Sequence, residues 1–200
     1  MRAGVHVLFD LVQPGLGLCR AEDITISVMT TVIGHRAARG WVLIDAGWMA
    51  LAQDRGTSGQ AVDQGHGIVC GEAGRILPDP IVVNTNQEHG IVARRPGSDA
   101  SMPDLPVGTR LRILPNHACA TAAQNGSYHV LPAAGGSTLQ EWSRFGGWWD
   151  ATDRRHARAA TTDPCAKPAK PVTGAGRPGL PPLAGLVLPG GLADALCFQA

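Results

Sequence analysis

Residues 24–34 read Ile-Thr-Ile-Ser-Val-Met-Thr-Thr-Val-Ile-Gly, and eight of these eleven side chains are β-branched. Two heavy atoms on Cβ restrict χ1 against a helical turn but pack well on a pleated surface. The run therefore predicts a strand, and a strand this apolar needs neighbours on both sides. Short candidates follow at 41–44 (Trp-Val-Leu-Ile), 66–70, 81–84, 90–93, 109–114 and 127–131. Their spacing of about 8–15 residues, with Gly and Pro turns between, predicts a mainly β fold, a small barrel or sandwich-like domain with one or two short helices. Residues 48–54 carry helical spacing, with Gly56 as a stop. Residues 5–9 (Val-His-Val-Leu-Phe) alternate loosely and are predicted to be a strand. It would be either an edge strand or the last element of something upstream.

The chain changes character near residue 150. Residues 1–149 hold all five tryptophans and the single tyrosine, whereas 150–200 hold seven of the fifteen prolines and one aromatic, Phe198. Prolines from Pro164 to Pro189 recur too often for a helix or sheet to persist between them. The expected organisation is a β-domain over 1–149 and a Pro/Gly-rich, disordered tail over 150–200, with a short helix at 192–196.

Net charge is +1, with basic residues in no more than short pairs such as Arg94-Arg95, so no strong field would recruit nucleic acid or an anionic membrane. No apolar run approaches the roughly 18 residues of a membrane span, and the N-terminus is not a signal peptide. A soluble, cytoplasmic protein is expected. The five cysteines form no CxxC, and their odd number favours free thiols or a metal ligand over a disulfide framework.

The densest chemical signal is Pro115-Asn116-His117-Ala118-Cys119-Ala120-Thr121. In an extended segment residues i and i+2 share a face. His117 and Cys119 could then hold one borderline-soft metal, zinc before manganese or cobalt. Two ligands do not close a structural zinc site, and the same pair also suits a buried thiol beside a hydrogen-bonded imidazole. Glu88-His89, before Gly90, would orient a metal ligand or form a solvated turn. Asp45, in Asp45-Ala46-Gly47, would contact a ligand or satisfy backbone donors in the turn. His35, His66 and His129 have no spacing partners. Trp142, Trp148 and Trp149 suit core packing or contact with another domain, and Gly135-Gly136-Ser137 reads as a loop.

The order of several segments resembles a known family. Arg2 to Asp10 (RAGVHVLFD), Asp23 to Ile33 (DITISVMTTVI), Ile44-Asp45-Ala46-Gly47, Asn86-Gln87-Glu88-His89-Gly90, Pro106-Val107-Gly108, Ile113 to Thr121 (ILPNHACAT) and Trp142 to Trp148 (WSRFGGW) carry the likeness. It is to the C-terminal domain of the D-serine dehydratase and D-threonine aldolase family, pyridoxal-phosphate enzymes of alanine-racemase-like architecture. The resemblance implies an N-terminal (β/α)₈ barrel carrying the cofactor on a lysine, closed by a β-domain that supplies a metal. It puts the metal on His117 and Cys119, the Cys form pointing to the dehydratase branch. The metal would act as a Lewis acid on the β-hydroxyl of a small D-amino acid. Elimination through the cofactor would release pyruvate and ammonia from D-serine.

The chain departs from that pattern in lacking the barrel. Its only lysines, Lys167 and Lys170, sit among prolines of the tail, unlike the desolvated lysine a Schiff base needs. It is therefore expected to be a lyase domain that is inactive alone and pairs with a pyridoxal-phosphate-binding barrel or second subunit. The alternatives are a non-catalytic metal-binding or interaction module, or the remnant of a frameshifted gene.

Overall fold

The β-branched run folds as the long strand β1 (Ile26–Arg36), with its first five residues buried. The computed structural model describes residue 5 and residues 7–131, 140–144 and 195–199. After one turn of helix α1 (Val12–Gly15) and β1 come β2 (Trp41–Ile44), helix α2 (Trp48–Leu51), β3 (Gly67–Gly71), β4 (Ile76–Thr85) and β5 (Gly90–Ala93). Then follow β6 (Arg110–Pro115), helix α3 (Ala118–Gln124), β7 (Ser127–Leu131), β8 (Gln140–Ser143) and β9 (Ala195–Gln199). No helix among the described residues is long and apolar enough to cross a membrane.

Six strands close into a barrel in the order β1–β2–β5–β4–β3–β6, with β6 returning to β1 and every pairing antiparallel. The mainly β barrel expected from strand spacing is therefore the architecture. One edge of β1 carries β6. The other carries β2 along Val32–Arg36 and β9, in parallel, along Ile26–Met29. The β7–β8 hairpin joins the sheet through β9. Residues at period two fill the barrel: Ile26, Val28 and Val32 of β1 meet Ile113 of β6, Val69 of β3 and Ile44 of β2, all with no exposed surface. Burying each such side chain contributes about 1.5–3 kcal/mol.

Several local expectations are corrected. Of the expected strand at 5–9, residues 5 and 7–9 are described and do not form one. Leu8 N and Phe9 N both donate to Val5 O, making a turn, and Val5 and Phe9 take positive φ. Thr25 N and Oγ1 both donate to Leu8 O, which ties this turn to the entry of β1. The helix at 48–54 stops at Leu51, five residues before Gly56, because Ala52 leaves helical space at φ 69°, ψ 170°. The strand at 81–84 extends back to Ile76. Pro78 and Pro80 are tolerated because the β3–β4 register shifts between Ile68 and Cys70, where a ladder donor is not required. Ala195 and Leu196 are strand rather than helix, paired to β1 and β7. The remainder of that helix, the Gly135–Ser137 loop, Trp148, Trp149 and residues 150–194 of the tail lie outside the described residues. Trp142 is exposed on β8 and does not pack in the core.

The barrel positions its loops by register. Ile113 faces Val28, so β6 delivers Pro115 to the N-terminal end of β1. The ends of β2, β4 and β6 and the starts of β3 and β5 gather there, joined by pairings such as Gly67–Pro115 and Ile44–Gly90. The β4–β5 turn closes over α2, its Asn86 and Gln87 carbonyls accepting from Trp48 N and Met49 N. Gly47 permits this close approach, because a Cβ there would overlap both carbonyl oxygens. Gly47→Ala should therefore lower unfolding stability by about 1–3 kcal/mol, the usual cost of overpacking. Chemical denaturation followed by tryptophan fluorescence would measure it, and an unchanged midpoint would contradict the packing argument.

Candidate metal centre

His117 and Cys119 sit where β6 runs into α3. The expectation that they share one face of an extended segment is corrected. His117 is extended (φ −146°, ψ 106°) but serves as the N-cap, and Cys119 lies in the first turn of the helix. The helix, not a strand, sets their relation, and Cys119 is exposed at its start.

Three long-range contacts fix this helix start. Asn116, 1% exposed, accepts from Thr57 N (3.0 Å) through Oδ1. Its Nδ2 donates to Thr57 Oγ1 (2.9 Å) and Gly65 O (2.6 Å). Asp10, also buried, accepts from Ala118 N at 2.9 Å and from Val12 N at 3.1 Å. It thereby satisfies an orphan helix donor that His117, with no capping bond of its own, leaves open. Buried Thr121 donates through Oγ1 to Leu51 O at 2.8 Å, tying α3 to α2.

The contact with direct chemical consequence is His117 Nδ1 to Asp54 Oδ2, at 2.6 Å. The carboxylate oxygen accepts, so Nδ1 carries the proton, and in the neutral ring Nε2 presents its lone pair. Among the described residues Nε2 has no hydrogen-bond partner, and Cys119 Sγ lies exposed two residues on. This pairing of a carboxylate with an imidazole is the usual setting of a metal-ligating histidine. One imidazole nitrogen and one thiol sulfur fit a borderline-soft divalent ion. No group of three or more His, Cys, Asp or Glu among the described residues is arranged to hold a metal. A metal here would thus keep open positions. Burial pushes the Tyr128 phenol up, Arg144 offsets part of that push, and Cys119 adds a smaller one upward.

The other sequence candidates are elsewhere or otherwise engaged. Asp45 Oδ1 accepts from Thr30 Oγ1 (2.6 Å) and Thr31 N (2.7 Å), bracing β2 against β1. His89 Nε2 pairs with Asn86 Nδ2 at 3.0 Å within the β4–β5 turn, and Glu88 is exposed on the same turn. None of the three hydrogen-bonds to His117 or Cys119. His35 meets Leu105 O at 2.8 Å, and burial lowers the His66 pKa in another loop. Cys70 is walled into the barrel, its thiol pushed up to about 12 by burial. A depression of about 660 Å³ lined by His35, Arg36, Arg39 and Trp41 lies at the opposite end of β1. Sequence reading missed Asp54, Asp10, Asn116 and Thr121. Asn116 and Thr121 stand inside the quoted motif, but Asp54 and Asp10 are 63 and 108 residues from their partners, with no local signal.

A pyridoxal phosphate does not fit the described residues, because none of them is a lysine to carry it.

Residues 25–131 match the model of a family described as "Putative serine dehydratase domain". The chain is 53% identical over 152 residues to D-threo-3-hydroxyaspartate dehydratase of Delftia sp., covering 74% of this chain and 39% of that protein. It is 31% identical over 131 residues to D-serine dehydratase of Dictyostelium discoideum, covering 64% and 32%. The solved Delftia structure superimposes with a TM-score of 0.68 at 52% identity, over 74% of this chain and 39% of that one. An alanine-racemase-like protein from Idiomarina loihiensis gives 0.67 at 47%, over 74% and 38%. Other solved structures of D-threo-3-hydroxyaspartate dehydratase carry alanine in place of a cysteine, in a metal-free form, and in place of a histidine two positions before it. The chain spans about two fifths or less of the length of these relatives.

Removing the Asn116 amide would leave Thr57 N and Gly65 O buried without partners. Asn116→Ala should cost about 1–3 kcal/mol for each group so stranded. A urea titration would show the lowered midpoint, and a midpoint equal to wild type would mean that water replaces the amide.

Proposed function

The chain belongs to the serine dehydratase domain family, and from that premise we propose that it is the metal-binding C-terminal β-domain of a D-amino-acid lyase of dehydratase type. The observation that carries this is the helix start itself. Asp54 holds His117 Nδ1, Nε2 has no hydrogen-bond partner among the described residues, and an exposed thiol follows two residues later. The relatives' altered histidine and cysteine have the same spacing, and the cysteine variant is described as metal-free.

In this reading His117 and Cys119 are the protein ligands of a divalent ion, zinc first. When bound, the ion supplies Lewis acidity toward a hydroxyl on the substrate. Asp10, Asn116 and Thr121 hold the helix start so that the two donors keep one geometry. The substrate class is a small D-amino acid with a hydroxyl at the β-carbon, the feature common to the substrates in the relatives' names. Dehydration rather than aldol cleavage is favoured because both enzymes named by activity are dehydratases. Glu88 and His89, on the turn over α2, would contact what binds there. Asp45 serves the barrel. With no lysine among the described residues, the pyridoxal chemistry belongs to a barrel outside them, and the described domain does not carry it out alone.

Purified chain dialysed against zinc should retain about one ion, read by mass spectrometry of the metal, and Cys119→Ser should lose it. Zinc content unchanged by that substitution would sink the assignment. Borohydride reduction after incubation with pyridoxal phosphate should leave no stable adduct on the chain. Pyruvate should appear from D-serine only on mixing with a lysine-bearing barrel partner.

A further inference from the structure

We infer that Asp54 is a positioning residue for the metal pair, setting the tautomer and direction of His117. The inference rests on the reading of His117 and Cys119 as ligands and extends it to a residue outside their motif.

The contact spans 63 residues, so it is a product of the fold and not of neighbouring sequence. The chain reaches it by an unusual route. Directly after α2, Ala52 adopts φ 69° and ψ 170°, a conformation that residues with a Cβ rarely hold. That turn sends the chain from α2 toward α3, and Leu51 O is pinned in place by Thr121 Oγ1. The nearest cation in sequence, Arg55, is engaged by Asp63, which leaves the Asp54 carboxylate to the imidazole. At 2.6 Å the bond is as short as, or shorter than, the roughly 2.7–2.9 Å of charge-assisted N–H···O pairs.

The chemistry follows from donor counting. Without an acceptor on Nδ1, the neutral ring is free to carry its proton on Nε2, which removes the lone pair a metal needs. With Asp54 in place the proton stays on Nδ1 and the ring is held against rotation. The side chains of the pair are 42% and 53% exposed, and ion pairs that open to water add little to folding. Asp54 should therefore matter to the metal and not to the stability of the metal-free chain.

Zinc ion alone, titrated into the whole chain against a chromophoric chelator, tests this with wild type, Asp54→Ala, Asp54→Asn and His117→Ala. Asp54→Ala should bind zinc about 10–100-fold more weakly, with the metal-free melting temperature unchanged. Asp54→Asn should lose less, because its amide oxygen still accepts from Nδ1–H. Long-range proton–nitrogen NMR of the metal-free chain should show His117 protonated on Nδ1 in wild type and shifted toward Nε2 in Asp54→Ala. Equal zinc affinity in Asp54→Ala and wild type, where His117→Ala is impaired, overturns the inference and leaves the ligand assignment standing. Wild type and His117→Ala that bind zinc alike, or not at all, remove the assignment and this inference with it.

Discussion

The geometry of this domain's working end hangs on the side-chain amide of Asn116. It is the last residue before the helix start, it is almost wholly buried, and it makes three hydrogen bonds to the 57–65 loop. Each bond joins β6 to a segment that no strand pairing would hold. A buried amide with all its partners met specifies one arrangement, because any other strands polar groups away from water. His117 and Cys119 inherit their position from that choice.

Around this knot the domain divides its labour. The barrel interior is aliphatic and built by period-two patterning, so it tolerates no movement of its strands without opening a void. Much of the polar work lies at the ends of strands and in the short helices that follow them, with Thr30 and Arg112 buried within β1 and β6. Asp10 and Asp54 come from distant segments and meet consecutive residues at the head of α3, one at the backbone of Ala118 and one at the ring of His117. Phe9 and Ala52, each near one of these carboxylates, hold positive φ. Strain of this kind costs about 1–3 kcal/mol at each residue and persists only where the surroundings over-determine the backbone. Two of the three positive-φ non-glycine residues among the described ones stand at the approaches to α3.

His117 at the N-cap and Cys119 in the first turn of α3, with no third protein ligand among the described residues, would make an incomplete shell around a metal. Open coordination positions are what a catalytic ion needs and what a structural one lacks. The domain also spans two fifths or less of its relatives' length. Both facts are consistent with half of a site whose other half is brought by a cofactor-bearing partner.

The sequence by itself determined most of the barrel strands and the mainly β character, and it put forward His117 and Cys119 as candidate donors. β-Branched density and turn residues are local properties, and the strands 41–44, 90–93 and 127–131 fell where patterning placed them. It misjudged the 5–9 run, where apolar alternation resembles a strand but Leu8 N and Phe9 N turn back to Val5 O. It also read Pro115 to Cys119 as extended, because a short Ala-rich helix following a proline carries no strong cap signal. Only the tertiary structure decided that Asp54 would face His117, that Asp10 would cap α3, and that Asp45 would serve the barrel. Those pairings depend on barrel closure, which brings residues 14 to 108 positions apart into contact. Periodicity says which face a side chain takes within its own strand, but not which distant carboxylate will be waiting there.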